Sequence, residues 1–341
     1  MLPSSPHANP PPLYTGSVLG QHTSNRLHVA AIDFLNPAPL MWDFEHPPLN
    51  ASLAERYGLH YTVPSRCAED LLAGRADLGL IPIASLTPEL AIVPGCAIAS
   101  LDRVRSIQLI VKLGRVPHVR PDQVPDVSGS RVPHVRQALP PDVGSSTETD
   151  AVLAAVRTVA ADTASRSSLA YAQILFRTFI GANPGFLPAP ADPIAMLARA
   201  DAALLIGDPA LLALEDRAHI EAHPNVGPCL WLDMAHQWRT RTGLPWVAAV
   251  WAVRPQSLIH VSPAQLIEDL QQSRDHGLGH IDSLVTEWTP RIAVPSATIR
   301  QYLSSNIHYT LEPNCIATIE LFRRYAAEAG ILPPLPTLRF L

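Results

Sequence analysis

Short apolar runs that stop at proline or polar turns alternate with amphipathic stretches along most of this chain. The first run, Leu27-His-Val-Ala-Ala-Ile32, is bounded as a buried strand of a parallel sheet should be, although periodicity alone does not separate that from a buried helix. Further strands are expected at His60–Pro64, Leu78–Ile81, Cys96–Ser100, Ser106–Val111, Ala155–Ala161, within Asp201–Asp208, and at Pro245–Val253, the last rich in β-branched and aromatic residues. Between them the pattern predicts helices at Ala68–Ala73, from Leu169 to Gly181, Ile194 to Ala200, from Pro209, over Leu230–Gly243, Tyr302–Tyr309 and Thr318–Gly330. Strands alternating with helices in this order imply an α/β protein.

Composition narrows the class. The chain has 341 residues, room for about two domains, and 47% apolar with 16% charged residues argues a packed globular protein. A formal charge of −5, with the longest basic clusters, around Arg239 and Arg241 or Arg323 and Arg324, reading as ordinary helix-surface pairs, argues against a nucleic-acid partner. The four cysteines, Cys67, Cys96, Cys229 and Cys315, are far apart and read as reduced, mostly buried thiols of a cytosolic protein. No run approaches the roughly 18 apolar residues of a membrane span. Residues 1–26, rich in proline and polar residues, read as a disordered tail without the features of a secretion signal. Residues 113–148 carry six prolines and the repeat RVPHVR at Arg115–Arg120 and Arg131–Arg136, an exposed insertion bearing a local duplication.

Candidate chemistry gathers where the predicted strands end. Asn36 follows the first strand and precedes Pro37 and Pro39, so its amide either projects from the strand's C-terminal edge, where α/β sheets bind ligands, or closes an Asx turn. Ser85 follows the strand at Leu78–Ile81 in the same way. The turn Asp162-Thr-Ala-Ser-Arg-Ser-Ser168 puts hydroxyls and free backbone N–H groups at a helix start, either an anion site or simple N-capping. Asp208 ends another strand before Pro209, as a catalytic carboxylate or an N-cap. The spacings His219/His223 and His276/His280 are broken by proline or glycine and lack a third ligand, so no metal site is expected. His118 and His134 are explained by the repeat.

Six motifs occur in one order: FLNPAPL (Phe34–Leu40), GRADLGLIP (Gly74–Pro82), RVRSIQL (Arg103–Leu109), TASRSSLA (Thr163–Ala170), DAALLIGDPAL (Asp201–Leu211) and TGLPWVAAVWAVR (Thr242–Arg254). From Leu27 to the C-terminus the chain resembles the MqnA family, chorismate dehydratase of the futalosine route to menaquinone. It departs from the family in the tail, in the repeat insertion, and in Thr-Ala-Ser-Arg-Ser-Ser where Ser-Arg-Thr-Ser is more usual. The resemblance implies a type II periplasmic-binding-protein-like fold, two α/β lobes with a ligand cleft between them. The first, larger lobe would hold residues 27–107 and 252–341, and the second 108–251 with the insertion.

It also implies a substrate, chorismate, which loses water to give 3-[(1-carboxyvinyl)oxy]benzoate with no metal or redox cofactor. Asn36 and Asp208 would be the catalytic pair, and Asn36, Ser85, Ser106, Thr163, Ser165, Arg166 and Ser167 would bind substrate. The base is Asp208 or the substrate's own enolpyruvyl carboxylate. The resemblance leaves monomer or homodimer open and implies a cytoplasmic enzyme, with neither nucleic acid nor membrane as partner. A solute receptor would share the fold and is expected to carry a leader. The sister 1,4-dihydroxy-6-naphthoate synthase would use a histidine base, and none of His46, His60, His118 or His134 adjoins a shared motif.

Overall fold

The computed structural model describes residues 25–113, 146–164, 166–335 and 337–341. The N-terminal tail up to residue 24, the repeat at 114–145 and Ser165 lie outside the described residues. Eleven strands are described: β1 (Leu27–Ile32), β2 (Tyr57–Thr62), β3 (Leu78–Pro82), β4 (Ala91–Ser100), β5 (Ile107–Lys112), β6 (Thr158–Asp162), β7 (Gly185–Ala189), β8 (Ala202–Ile206), β9 (Cys229–Asp233), β10 (Trp246–Val253) and β11 (His308–Thr310). They form a six-stranded sheet, β11-β4-β10-β3-β1-β2, and a five-stranded sheet, β7-β6-β8-β5-β9. β1 is parallel to β2 and β3, and β6 is parallel to β7 and β8, whereas β5 and β10 run against their neighbours. The central strands β3 and β8 are buried at every position, as a strand covered on both faces must be.

The chain passes between the sheets twice, from β4 to β5 through residues 101–106 and from β9 to β10 through the helix Met234–Thr242. Both crossings are tied to Asp233. Its carboxylate accepts the backbone N–H groups of Val104 (3.3 Å) and Arg105 (2.7 Å) in the first crossing, and caps the helix of the second through Ala235 (3.0 Å) and His236 (3.1 Å). Arg105 takes a left-handed backbone (φ 62°), uncommon for a residue with a Cβ, and holds the sharp turn between the sheets.

β10 lies wholly in the six-stranded sheet, between β3 and β4, so the second crossing is complete by Trp246 rather than at residue 252. β5 begins at Ile107, which belongs to the five-stranded sheet. Two readings are corrected. Leu230–Gly243 is not one helix: its first part is β9, and the helix starts only at Met234, after the Asp233 cap. Tyr302–Tyr309 is a π turn at Tyr302–Asn306 followed by β11, three residues that pair with the edge of β4. Smaller shifts have plain causes. The helix Pro64–Leu72 begins at its proline, which has no N–H to leave unpaired, and Ser146–Ala155 is helical before β6.

Alternation sorts the second sheet's residues onto two cores. Leu109, Val111, Leu204 and Ile206 join the main core, while Ile110, Ala203 and Leu205 pack on the opposite face. Where the lobes meet, Tyr171 stacks on Trp246 at 3.6 Å and contacts Trp238 and Phe322, and its hydroxyl donates to the Val247 carbonyl at 3.1 Å. These aromatics come from helices Arg166–Ile174, Met234–Thr242 and Pro313–Glu328 and from β10, and they knit the crossing region together. No described helix is long and apolar enough to cross a membrane.

Candidate active site

Parallel pairing of β1 with β3 brings their C-terminal ends to one edge, placing residues 33–38 beside Ile83–Ser85. Opposite lies the corresponding edge of the other sheet: Ser106 before β5, Gly207-Asp208 after β8, and the start of the helix Arg166–Ile174 after β6. The two edges are joined by hydrogen bonds. Leu35 N–H donates to Asp208 Oδ1 at 3.2 Å, and Ala84 N–H donates to Ser167 Oγ at 3.2 Å. Ser167 Oγ in turn donates to the Ala248 carbonyl at 3.0 Å, and Ser65 N–H donates to the Ala164 carbonyl at 3.1 Å. The lobes are therefore closed on each other.

Glycine is required at position 207. Its φ is +62°, and a Cβ there would meet the Phe34 ring at 2.9 Å, so the second lobe's turn fits against the first lobe's edge only without a side chain. The Gly207 N–H donates to the Ser106 carbonyl at 2.7 Å, which fixes the crossing segment to the Asp208 turn. Ser106 Oγ accepts the hydroxyl of fully buried Tyr302 at 2.7 Å. With that lone pair engaged, the Ser106 hydroxyl hydrogen is oriented away from Tyr302.

At this seam Asn36 Oδ1 and Ser85 Oγ are buried with no hydrogen-bond partner among the described residues. Leaving a buried acceptor or hydroxyl unmatched costs about 1–3 kcal/mol, a cost that a ligand bound at this sheet edge would relieve. Asp208 is perturbed as well. Burial pushes its carboxyl up to about 6; the Leu35 N–H and Arg291 oppose this and Asp33 reinforces it. A carboxyl near that value is suited to exchanging a proton at ordinary pH. Tyr302 is also held above the ordinary tyrosine range, by burial foremost, and is a neutral donor to Ser106.

The structure brings together Asn36, Ser85, Ser106, Ser167 and Asp208 from segments far apart in sequence. It does not gather Thr163 and Arg166 as closely: both are exposed, and Arg166 pairs with Glu69 across the lobes at 3.1 Å. The sequence reading missed Tyr302, whose role comes from a contact spanning the chain and which no local motif announces. His46 stacks on Trp42 and bonds Glu287, and His60 lies beside Asp70, so neither reaches this seam. His276 bonds Asp43 and His280 stacks on Trp42. Among the described residues no group of three or more His, Cys, Asp or Glu is arranged to hold a metal ion. The four cysteines are buried, and burial pushes Cys67, Cys96 and Cys229 up to about 12, as befits packing groups.

A family model described as menaquinone biosynthesis matches residues 27–127 and 141–328. A chorismate dehydratase from Thermus thermophilus is 26% identical over 267 residues, 76% of this chain and 82% of the relative. Among solved structures, a protein from Archaeoglobus fulgidus matches with a TM-score of 0.62 at 13% identity, covering 91% of this chain and 100% of that one. The periplasmic aliphatic sulphonate binding protein of Escherichia coli matches with a TM-score of 0.56 at 12% identity, covering 91% and 89%. A Candida albicans protein described as having the generic periplasmic binding protein fold matches with a TM-score of 0.56 at 10% identity, covering 91% and 92%. At these identities the structures show the fold, that of a periplasmic binding protein.

Proposed function

The chain belongs to the menaquinone-biosynthesis family, and from that premise we propose that it is a chorismate dehydratase acting at the seam between its lobes. The observation that carries this reading is the pair of buried, unmatched polar atoms, Asn36 Oδ1 and Ser85 Oγ, on the edge whose Leu35 N–H meets the raised carboxyl of Asp208. Chorismate is a dianion with a hydroxylated diene ring. Its dehydration needs donors to hold the carboxylates, an acceptor for one ring proton, and exclusion of water, all of which are matters of positioning and electrostatics.

In the reaction the ring proton next to the hydroxyl-bearing carbon passes to a base. Its bonding pair becomes a ring double bond, the carbon–oxygen bond breaks, and the departing hydroxyl takes up the proton that the base has accepted, to leave as water. The product is 3-[(1-carboxyvinyl)oxy]benzoate, and aromatisation drives the step. Asn36 supplies the amide that orients the substrate beside the leaving hydroxyl, and Ser85 and Ser106 donate to it from the first lobe and the crossing. Thr163 and Arg166, at the start of the second-lobe helix, hold a carboxylate, with Arg166 exchanging Glu69 for it. Two proton acceptors are at hand, ionised Asp208 and the substrate's enolpyruvyl carboxylate, with Asn36 orienting the latter.

The test is incubation of the purified protein with chorismate. Loss of the diene absorbance and appearance of an aromatic ether lighter by one water are expected. Chorismate unchanged at saturating protein would overturn the assignment and leave a binding protein of the same fold.

A further inference from the structure

Beyond the interlobe seam, the C-terminal helix Pro313–Glu328 and residues after it line a second, half-open space. Ile331 and Leu332 fold back on the Ala326 carbonyl, and at the far end Ile92 N–H donates to Arg339 at 2.8 Å while Leu341 N–H donates to Ile92 at 3.0 Å. Between these anchors Pro334, Leu335, Thr337 and Leu338 form a strap that lines a cavity of about 550 Å³, a size ordinary for small-molecule sites. Leu244, Leu321, Leu335 and Leu338 give it apolar walls, and Arg323, Arg324 and Glu320 also line it.

Arg323 is the unusual member. It is only 5% exposed, yet no carboxylate pairs with it among the described residues. Its Nη1 donates to the Ala84 carbonyl and its Nη2 to the Pro333 carbonyl, both at 3.1 Å, and its Nε has no acceptor among the described residues. Neutral carbonyls satisfy hydrogen bonds without neutralising charge, and a buried guanidinium without a counter-charge is costly. Arg324 adds a second cation at the exposed rim, where the Glu320 carboxylate also lies.

We propose that this cavity is a second ligand site, taking a small monocarboxylate with an apolar or aromatic body whose carboxylate pairs with Arg323. The site does not depend on the dehydratase reading. It adjoins the seam without belonging to it, since Arg323 holds the carbonyl of Ala84, whose N–H bonds Ser167.

Titration calorimetry on the full chain tests this with benzoate as probe and benzamide as its uncharged isostere. Benzoate is expected to bind, and benzamide to bind at least about tenfold more weakly, because a charge-assisted contact is lost. Arg323→Gln, and independently Leu335→Trp, which fills the cavity from the strap and leaves the buried arginine untouched, should each weaken benzoate at least about tenfold. Asn36→Ala should leave that affinity unchanged. The proposal is overturned if wild-type protein gives no benzoate binding, if benzamide binds equally well, or if Leu335→Trp retains affinity while Asn36→Ala loses it, which would move the ligand to the interlobe seam.

Discussion

On the first-lobe side of the seam Asn36 Oδ1 and Ser85 Oγ are buried without partners among the described residues, whereas on the second-lobe side Ser167, fully buried, accepts from Ala84 and donates to Ala248. Both sides carry small polar residues at strand or helix ends, but one leaves them open and the other uses them to close the lobes. A hydroxyl satisfied at both its acceptor and donor sides contributes to stability, while an orphaned amide detracts from it. The difference separates residues kept for a ligand from residues kept for closure, and it predicts that mutations on the two sides split activity from stability.

The largest effect is expected from Asn36→Ala: kcat for chorismate dehydration should fall by about 10²–10³, the scale for removing one oriented polar group from a reacting centre. Thermal unfolding should show a midpoint unchanged or slightly raised, because an unmatched acceptor disappears. A large drop in midpoint with kcat preserved would erase the contrast between the two sides.

Asp208→Asn sharpens the same comparison, because Asp208 is a second-lobe group that bonds the first-lobe edge next to Asn36, through Leu35. Its carboxyl titrates near 6 in the fold and lower in the unfolded chain, so between about pH 4 and 6 the native state binds the extra proton and stability falls as pH rises. The asparagine variant lacks this penalty and keeps an acceptor for the Leu35 N–H. It should be more stable than wild type by about 1–3 kcal/mol at pH 7–8 and not at pH 4, as read by denaturant unfolding at both values. Turnover then assigns the base. Loss of activity together with the acidic limb of kcat/KM near pH 6 gives the proton to Asp208, and near-normal turnover gives it to the substrate carboxylate.

Ser167→Ala is the reverse of Asn36→Ala and the smallest of the three. It strands the Ala84 N–H and the Ala248 carbonyl, so a stability loss of about 1–2 kcal/mol is expected in denaturant unfolding. The effect on kcat should be well below that of Asn36→Ala. Equal kcat losses in the two variants would show that both sides serve the substrate alike.

The chain reports locally on burial and on caps, and those parts of the fold were legible. Leu78–Ile81, Ala202–Ile206 and Trp246–Val253 are buried strands because their apolar runs are covered on both faces, and the Gly243 turn ends its helix as the residue type demands. Asn36 and Asp208 were visible as polar residues where such runs stop before a proline. What a local pattern does not record is pairing across the chain. β9 is a strand because Leu230–Asp233 pairs with β5, and β11 exists only through its bridges to β4. The same holds for the site. The residues that can hold a ligand are written along the sequence, but which of them are satisfied is decided by contacts such as Tyr302 to Ser106 and Ala84 to Ser167, since hydrogen-bond partners between distant segments exist only once both sheets have formed and closed.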